Sequence, residues 1–153
     1  MAGVFLVKKE FTMRAFMLYK YGADKTHVWS ATPNPNNPKF GQLIVEDLPL
    51  MKTASSSGTS LGCVRGLDIQ PNRKAISWQI YHHIIFHDQH EGSSLTYTPS
   101  WSQVAIVGGT GEFTMAQGVV YGTKIPSGEP GIEIIELYIR AYYTPMDMPA
   151  MLD

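Results

Sequence analysis

The sequence has very little cysteine: Cys63 is the only one among 153 residues. A lone cysteine excludes a disulfide within the chain, and it is typical of proteins from reducing compartments. The first apolar run, residues 3–7, is followed by two lysines, and it is shorter than the apolar core of about 7–15 residues that a secretion signal needs. We therefore predict a cytoplasmic protein whose fold depends on a buried core rather than on cross-links.

Charge is also scarce. Twelve Lys and Arg residues stand against 13 Asp and Glu residues, the net charge is -1, and charged residues make up 16% of the chain. This composition lacks the basic excess with which nucleic-acid-binding proteins neutralise phosphates. No apolar run reaches the length of about 18 residues that a membrane-spanning helix requires. The sequence therefore predicts neither a nucleic-acid partner nor a membrane-embedded protein.

What the sequence does contain is alternation of apolar and polar residues. No segment of twelve residues shows a convincing helical period, whereas a period of two, typical of half-buried strands, recurs along the chain. Turn-forming stretches such as "TPNPNNPKFG" and "IPSGEPG" separate the segments. The pattern predicts an all-β domain of eight or nine antiparallel strands, either a barrel or a sandwich. The predicted strands are residues 11–22, 25–32, 40–50, 61–70, 75–88, 95–99, 102–109, 112–124 and 131–143.

The most distinctive motif is "VGGTGEFTMAQG", residues 107–118. A glycine-rich loop that binds a dinucleotide must follow the first strand of a βαβ unit and open a helix. The residues after Gly111 alternate as strands, and Thr114 stands where that loop would have its third glycine or alanine. The motif is therefore interpreted as a turn between two strands, in which glycines supply positive φ angles, and no cofactor is predicted.

The same motif resembles the hallmark of plant dirigent proteins, V-G-G-T-G-x-F-R-M-A-R-G. "FGQLIVEDLPL", "SLGCVRGL" and "IIFHDQHEGSSLTY" resemble further family segments in the same order, so that the resemblance covers residues 11–143. It implies an all-β, eight-stranded antiparallel β-barrel and a possible homo-oligomer, since the family is usually trimeric. It also implies a protein that holds two phenoxy radicals during stereoselective coupling and that has no oxidase activity of its own.

Three positions depart from the family pattern. Cys63, Thr114 and Gln117 stand where the resemblance implies arginines, and arginines in the barrel would orient the acid that protonates a quinone methide. Their absence predicts a non-catalytic binding domain, and the resemblance to chimeric lectins that follows implies carbohydrate binding in plant defence. The chain resembles the dirigent-like domains of monocot chimeric lectins, which also lack a secretion signal. That branch implies a barrel domain at residues 1–143, a linker at 144–153 and a C-terminal jacalin-related lectin domain.

Candidate ligand-binding residues were chosen for a saccharide. The predicted partner is a short saccharide or the glycan of a glycoprotein, bound by loops at one end of the barrel. Trp101 and Tyr97 would present apolar faces to a sugar ring, and Asp47 and Glu112 would accept hydrogen bonds from its hydroxyls. Gln117 completes the set. Stereoselective guiding of phenoxy-radical coupling and a pure oligomerisation or interaction module remain the alternatives.

The histidines do not predict a metal site. On one strand, His83 and His87 share a face but are about 13 Å apart at about 3.3 Å per residue, which is too far for one ion with ligand distances of about 2 Å. We therefore predict no metal, and histidines that are hydrogen-bonded in the barrel or at its surface. Trp29 and Trp78 are predicted to be core residues, because aromatic side chains dominate buried area.

Overall fold

The computed structural model describes residues 7–30, 40–98 and 103–145, and these form nine strands and one short 3-10 turn. Each strand overlaps one of the nine predicted segments. The turn comprises Gly111–Phe113. The strands are β1 (Lys9–Lys20), β2 (His27–Ser30), β3 (Leu43–Met51), β4 (Ser60–Ile69), β5 (Gln79–Phe86), β6 (Ser94–Thr98), β7 (Gln103–Thr110), β8 (Gln117–Ile125) and β9 (Ile132–Tyr143).

Eight of the strands close into an antiparallel barrel. Their order is β1-β9-β8-β7-β6-β5-β4-β3, and β3 returns to β1 through the pairs Phe16 with Met51 and Met17 with Leu50. The ninth strand, β2, lies beside the first half of β3, where His27 pairs with Glu46. The predicted eight-stranded barrel is thus confirmed, with β2 as an addition to it.

Alternation along each strand decides which side chains enter the barrel. In β3, Leu48 and Leu50 are buried in the core, whereas Val45 and Asp47 are exposed on the outer face. In β5, Ile84 is fully buried between exposed or half-buried neighbours. Because successive side chains of a strand point to opposite faces, the apolar phase of the sequence becomes the interior of the barrel.

Aromatic side chains close one end of the barrel. Phe113 lies with its ring centroid 4.7 Å from Phe11 and 5.4 Å from Phe86, and Tyr143 packs against it at 5.2 Å. Phe86 and Phe113 are fully buried. This cluster fills the end of the barrel where β5 ends and β8 begins.

The glycine motif joins β7 to β8, as the interpretation of a strand-to-strand turn requires. Gly111 has a φ of +61°, which favours glycine. A Cβ at Gly109 would lie 2.3 Å from the carbonyl oxygen of Phe113, whereas a Cβ at Gly108 would meet nothing within 4 Å. Of the three glycines at positions 108, 109 and 111, the last two are thus at positions where a larger residue would be strained or would clash, and Gly108 is not.

The last strand ends at Tyr143, which is also the predicted end of the barrel domain. Residues 146–153 of the predicted linker lie outside the described residues. Within the described part of the chain, no helix has the length and apolarity needed to cross a membrane.

Candidate functional site

A cavity of about 510 Å³ opens at the end of the barrel opposite the aromatic cluster. This volume lies in the range of about 300–1,000 Å³ that is usual for small-molecule sites. Most of its wall is apolar, and polar side chains from four neighbouring strands gather on one side. The apolar wall consists of Met17, Ile44, Ile80, Val104, Val120, Ile135 and Leu137.

The polar side is built on one row of cross-strand neighbours. Glu46 pairs with Gly66, Gly66 pairs with His82, and His82 pairs with Tyr97, from β3 through β4 and β5 to β6. Asp68 follows two residues after Gly66 and therefore faces the same side of the sheet. The barrel register thus brings together side chains that are far apart in the sequence.

Gly66 makes room for the imidazole of His82. A Cβ at this position would lie 2.7 Å from His82 Cδ2 and 2.0 Å from the carbonyl oxygen of Tyr81. Both distances are shorter than any ordinary non-bonded contact, so that a larger residue would displace the ring or the strand. The absence of a side chain here is what lets His82 lie between the carboxylates of Glu46 and Asp68.

His82 is the centre of a buried polar cluster. Its Nε2 lies 2.9 Å from Glu46 Oε2 and 3.0 Å from Asp68 Oδ1, while Nδ1 lies 2.9 Å from the hydroxyl oxygen of Tyr97. The side chains of His82 and Glu46 are 2% and 1% exposed. Burial lowers the pKa of His82, but the contacts with Asp68 and Glu46 outweigh it and raise the pKa to about 9. The imidazole is therefore protonated at neutral pH.

Two tyrosine hydroxyls complete the cluster. Burial raises the pKa of Tyr19, and the negative charges of Glu46 and Asp68 raise it further. Burial and the same two carboxylates also raise the pKa of Tyr97. Both hydroxyls therefore stay neutral and can donate hydrogen bonds at any physiological pH. The cluster as a whole combines proton donors and carboxylate acceptors within one side of an apolar cavity.

Two tryptophans and an ion pair form the mouth of the cavity. The rings of Trp29 and Trp78 lie edge to face with centroids 5.9 Å apart, and Trp29 is 55% exposed. Lys124 Nζ lies 2.9 Å from Glu133 Oε2, and both residues also line the cavity. The prediction that both tryptophans are core residues is wrong: Trp29 lies on the short β2 strand, where one face of its ring remains in solvent.

The predicted saccharide residues do not meet at one end of the barrel. Tyr97 is buried in the cavity wall and contacts His82. Asp47 lies on the outer face of β3, where its Oδ2 accepts a hydrogen bond from Arg65 Nε at 3.2 Å. Because side chains alternate, Asp47 points away from the cavity and its neighbour Glu46 points into it. Trp101 lies outside the described residues.

Glu112 and Gln117 lie at the closed end. Glu112 Oε2 lies 2.7 Å from His90 Nδ1, its Oε1 accepts a hydrogen bond from the Tyr143 hydroxyl at 3.0 Å, and the contact with His90 lowers its pKa. Gln117 is exposed at the start of β8. Glu112 and Gln117 therefore lie beside the aromatic cluster, whereas Tyr97 lines the cavity, and the structure does not place them in one site.

The positions that depart from the family pattern also lie away from the cavity. Cys63, Thr114 and Gln117 are absent from its wall: Cys63 is packed at the outer face of β4, and the other two flank the closed end. Since none of these side chains lines the cavity, the lack of arginine at these positions does not remove the polar chemistry inside it.

Sequence reasoning missed Glu46, Asp68 and His82. A signal was present, because each falls in the inward phase of its strand: Glu46 with Leu48, and His82 with Ile84. A charged or titratable residue in an otherwise apolar phase indicates a buried polar site. Spacing along one strand does not reveal this site, because the residues that contact His82 come from other strands.

Comparisons with known proteins agree with this architecture. A family model described as "Dirigent-like protein" matches residues 11–142. Two solved pterocarpan synthase dirigent proteins are similar in fold. GePTS1 has a TM-score of 0.81 and 22% identity over 93% of this chain and 89% of its own. PsPTS1 has a TM-score of 0.78 and 21% identity over 90% and 97%. The search of curated proteins found no match.

Proposed function

The chain belongs to the dirigent-like protein family, and from that premise we propose that its cavity binds a small phenolic compound and orients a reactive form of it during bond formation. The observation that carries this proposal is the one-sided cavity, in which a single polar cluster faces an apolar wall. A ligand with one aromatic face and one hydroxyl edge has one favourable orientation in such a site. The similar solved proteins are named as pterocarpan synthases.

The apolar wall contributes binding free energy but does not fix the orientation of the ligand. Val120, Ile135 and Leu137 belong to the part of the wall that β8 and β9 contribute, away from the polar row on β3 to β6. An aromatic ring that leaves water for this wall is stabilised by about 25 cal/mol for each Å² buried. The hydroxyl groups of the same ligand would then lie against the polar side, because an unpaired hydroxyl in an apolar environment is costly.

The polar cluster orients the ligand and transfers protons. Coupling joins two phenoxy radicals, which an external one-electron oxidant must provide, through one bond made from their two unpaired electrons. In the quinone methide that results, a hydroxyl oxygen attacks the methide carbon. Glu46 or Asp68 accepts the hydroxyl proton, and the protonated His82 donates one to the quinone oxygen, to which the neutral Tyr19 hydroxyl can donate a hydrogen bond. The chain itself needs no redox group for this role.

A saccharide is the second candidate ligand. The observation in its favour is the tryptophan pair at the mouth, where the exposed ring of Trp29 could stack on a pyranose face. Asp68 and Tyr19 would then accept and donate hydrogen bonds inside the cavity. A jacalin-related lectin domain beyond the barrel, a role in plant defence and a homo-oligomer stay predictions from the family resemblance, and a cytoplasmic location stays a prediction from the sequence.

Titration of the protein with each candidate ligand tests the ligand class, and the protein is first treated with a chelator so that no metal ion contributes to binding. Coniferyl alcohol and a series of disaccharides are titrated separately, with the fluorescence of Trp29 and Trp78 and calorimetry as readouts. We expect saturable binding of the phenol, weakened at least about tenfold, or about 1.4 kcal/mol, in Glu46→Gln. The matched control is Asp47→Asn, which alters the neighbouring outward carboxylate and should bind like wild type.

Two outcomes would contradict the phenolic ligand. One is binding of a disaccharide in the cavity with no binding of the phenol, which would favour the second candidate. The other is phenol binding that Asp47→Asn weakens as much as Glu46→Gln, which would place the ligand outside the barrel. Whether bound ligand is also guided requires the chirality of the product to be measured.

A further inference from the structure

We propose that the carboxylates of Glu46 and Asp68 and the imidazole of His82 form a binding site for a divalent transition-metal ion, with Zn²⁺ as the favoured ion. The three donor groups come from three adjacent strands and meet on the polar side of the cavity. The proton-bound cluster described above and the metal-bound cluster are two states of the same side chains.

The spacing of the donor atoms fits a common ion. Ligand atoms about 2.0–2.2 Å from one metal stand about 2.9–3.5 Å apart when the angles between them are about 90–109°. His82 Nε2 lies 2.9 Å from Glu46 Oε2 and 3.0 Å from Asp68 Oδ1. These separations correspond to two edges of a coordination polyhedron, and the strands hold them without any ordering of a loop.

The same three atoms lack well-directed hydrogen bonds. Glu46 Oε2, Asp68 Oδ1 and His82 Nε2 are each buried without a partner of good hydrogen-bond geometry. One Nε2–H cannot point at two carboxylate oxygens at once, and buried polar atoms are almost always satisfied. A cation between them would accept a lone pair from each atom and leave none of the three unpaired.

The surroundings also favour a cation. With a neutral imidazole, Glu46 and Asp68 leave two negative charges in the barrel. Among the described residues that line the cavity, Lys124 is the only Lys or Arg, and its ammonium pairs with Glu133 at the mouth. Once Nε2 binds a metal, Nδ1–H donates to the Tyr97 hydroxyl at 2.9 Å, which is how outer partners orient metal-bound histidines.

The donor set selects the ion. One imidazole nitrogen with two carboxylate oxygens suits Zn²⁺ and neighbouring transition metals, whereas Ca²⁺ takes six to eight oxygen ligands and Mg²⁺ keeps most of its water. Three protein ligands also leave a coordination position open, as in zinc sites that bind a substrate or water. Here all three ligand residues line the cavity.

Isothermal titration of chelator-treated protein with ZnCl₂ and with MgCl₂ tests the site. We expect one Zn²⁺ per chain with a dissociation constant of about 10 μM or lower, which is about -7 kcal/mol, and no comparable binding of Mg²⁺. Glu46→Gln and His82→Gln should each weaken Zn²⁺ binding more than about tenfold, while Asp47→Asn and His83→Gln, which alter the adjacent outward residues, should leave it unchanged. Circular dichroism verifies that each variant folds.

Co²⁺ binding by the wild-type chain tests the site without any substitution. Co²⁺ should give a visible absorption band typical of nitrogen and oxygen ligands, and one equivalent of Zn²⁺ should abolish it. The proposal is overturned if wild type binds no Zn²⁺, or if Asp47→Asn or His83→Gln weakens binding as much as the inward variants do. Phenol binding by the chelator-treated protein is measured separately, so that the metal proposal and the phenol proposal can each fail without affecting the other.

Discussion

His82 should make the stability of this barrel fall as the pH rises. The ordinary pKa of a histidine is about 6.5, and in the folded chain the pKa of His82 is about 9 because burial is outweighed by the contacts with Asp68 and Glu46. Between these pH values the folded state binds a proton that the unfolded state has released. The stabilising contribution is therefore complete below about pH 6.5 and is lost as the pH rises through about 9.

The size of the effect follows from the shift. A difference of about 2.5 pKa units at about 1.36 kcal/mol per unit corresponds to about 3 kcal/mol. Screening by solvent reduces this little, because the His82 side chain is only 2% exposed. For a domain of this size, about 3 kcal/mol corresponds to a fall in melting temperature of about 6–12 °C.

Urea unfolding of chelator-treated protein at several pH values between about 6 and 10 measures the free energy directly. The comparison is between wild type, His82→Gln and the outward control His83→Gln. Wild type and His83→Gln should lose about 3 kcal/mol more than His82→Gln across this range, and His82→Gln should be the least stable of the three at low pH. The raised pKa values of Cys63, Tyr19 and Tyr97 lower the stability of all three proteins near the top of the range, and this contribution cancels in the comparison. An equal slope in His82→Gln and wild type would refute the reasoning.

Two further predictions concern the closed end of the barrel. Gly111→Ala should lower the free energy of unfolding by about 1 kcal/mol or more, because φ is +61° at this residue. Gly108→Ala, where a Cβ would meet nothing within 4 Å, should have the melting temperature of wild type. Equal melting temperatures of the two variants would contradict this. Phe113→Ala should cost about 3–5 kcal/mol in urea unfolding because it empties the aromatic cluster. Met115→Ala, at a residue that is 62% exposed, should stay within about 0.5 kcal/mol of wild type, and a similar loss in both variants would show that the cluster is not tightly packed.

The strands could be predicted from the sequence because the alternation is strong. All nine segments overlap an observed strand, and the barrel architecture follows from the family resemblance of the glycine motif. The short strand β2 was predicted as well, but its position outside the closed ring was not. That position depends on β1 occupying the other half of β3, which no local pattern records.

The site was predicted less well, for two physical reasons. Choosing Asp47 rather than Glu46 was an error of one residue, and in a strand one residue changes the face of the sheet. Attention to the phase shared by Glu46, Leu48 and Leu50 would have corrected it. The contact of His82 with Glu46, however, depends on the register of β3 with β4 and of β4 with β5, and that register is not written in any single segment.

Tyr97 shows how a residue can be selected for the wrong reason. It was chosen as an apolar face at a strand end, and it lies instead in the cavity wall with its hydroxyl against His82. Glu112 is predicted as a carboxylate at a strand end that accepts hydrogen bonds from sugar hydroxyls, and it lies instead at the closed end, where it contacts His90 and Tyr143. A place at a strand end therefore does not indicate proximity to the cavity.

The chirality of a coupled product tests the central claim most directly. Chelator-treated protein is incubated with coniferyl alcohol and a one-electron oxidant, and the enantiomers of the product are separated by chiral chromatography. We predict an enantiomeric excess over the oxidant-only control that Asp47→Asn retains and Glu46→Gln loses, since Glu46 faces the cavity and Asp47 does not. A racemic product with the wild-type chain that binds the phenol, or an excess that Glu46→Gln leaves intact, would contradict the account.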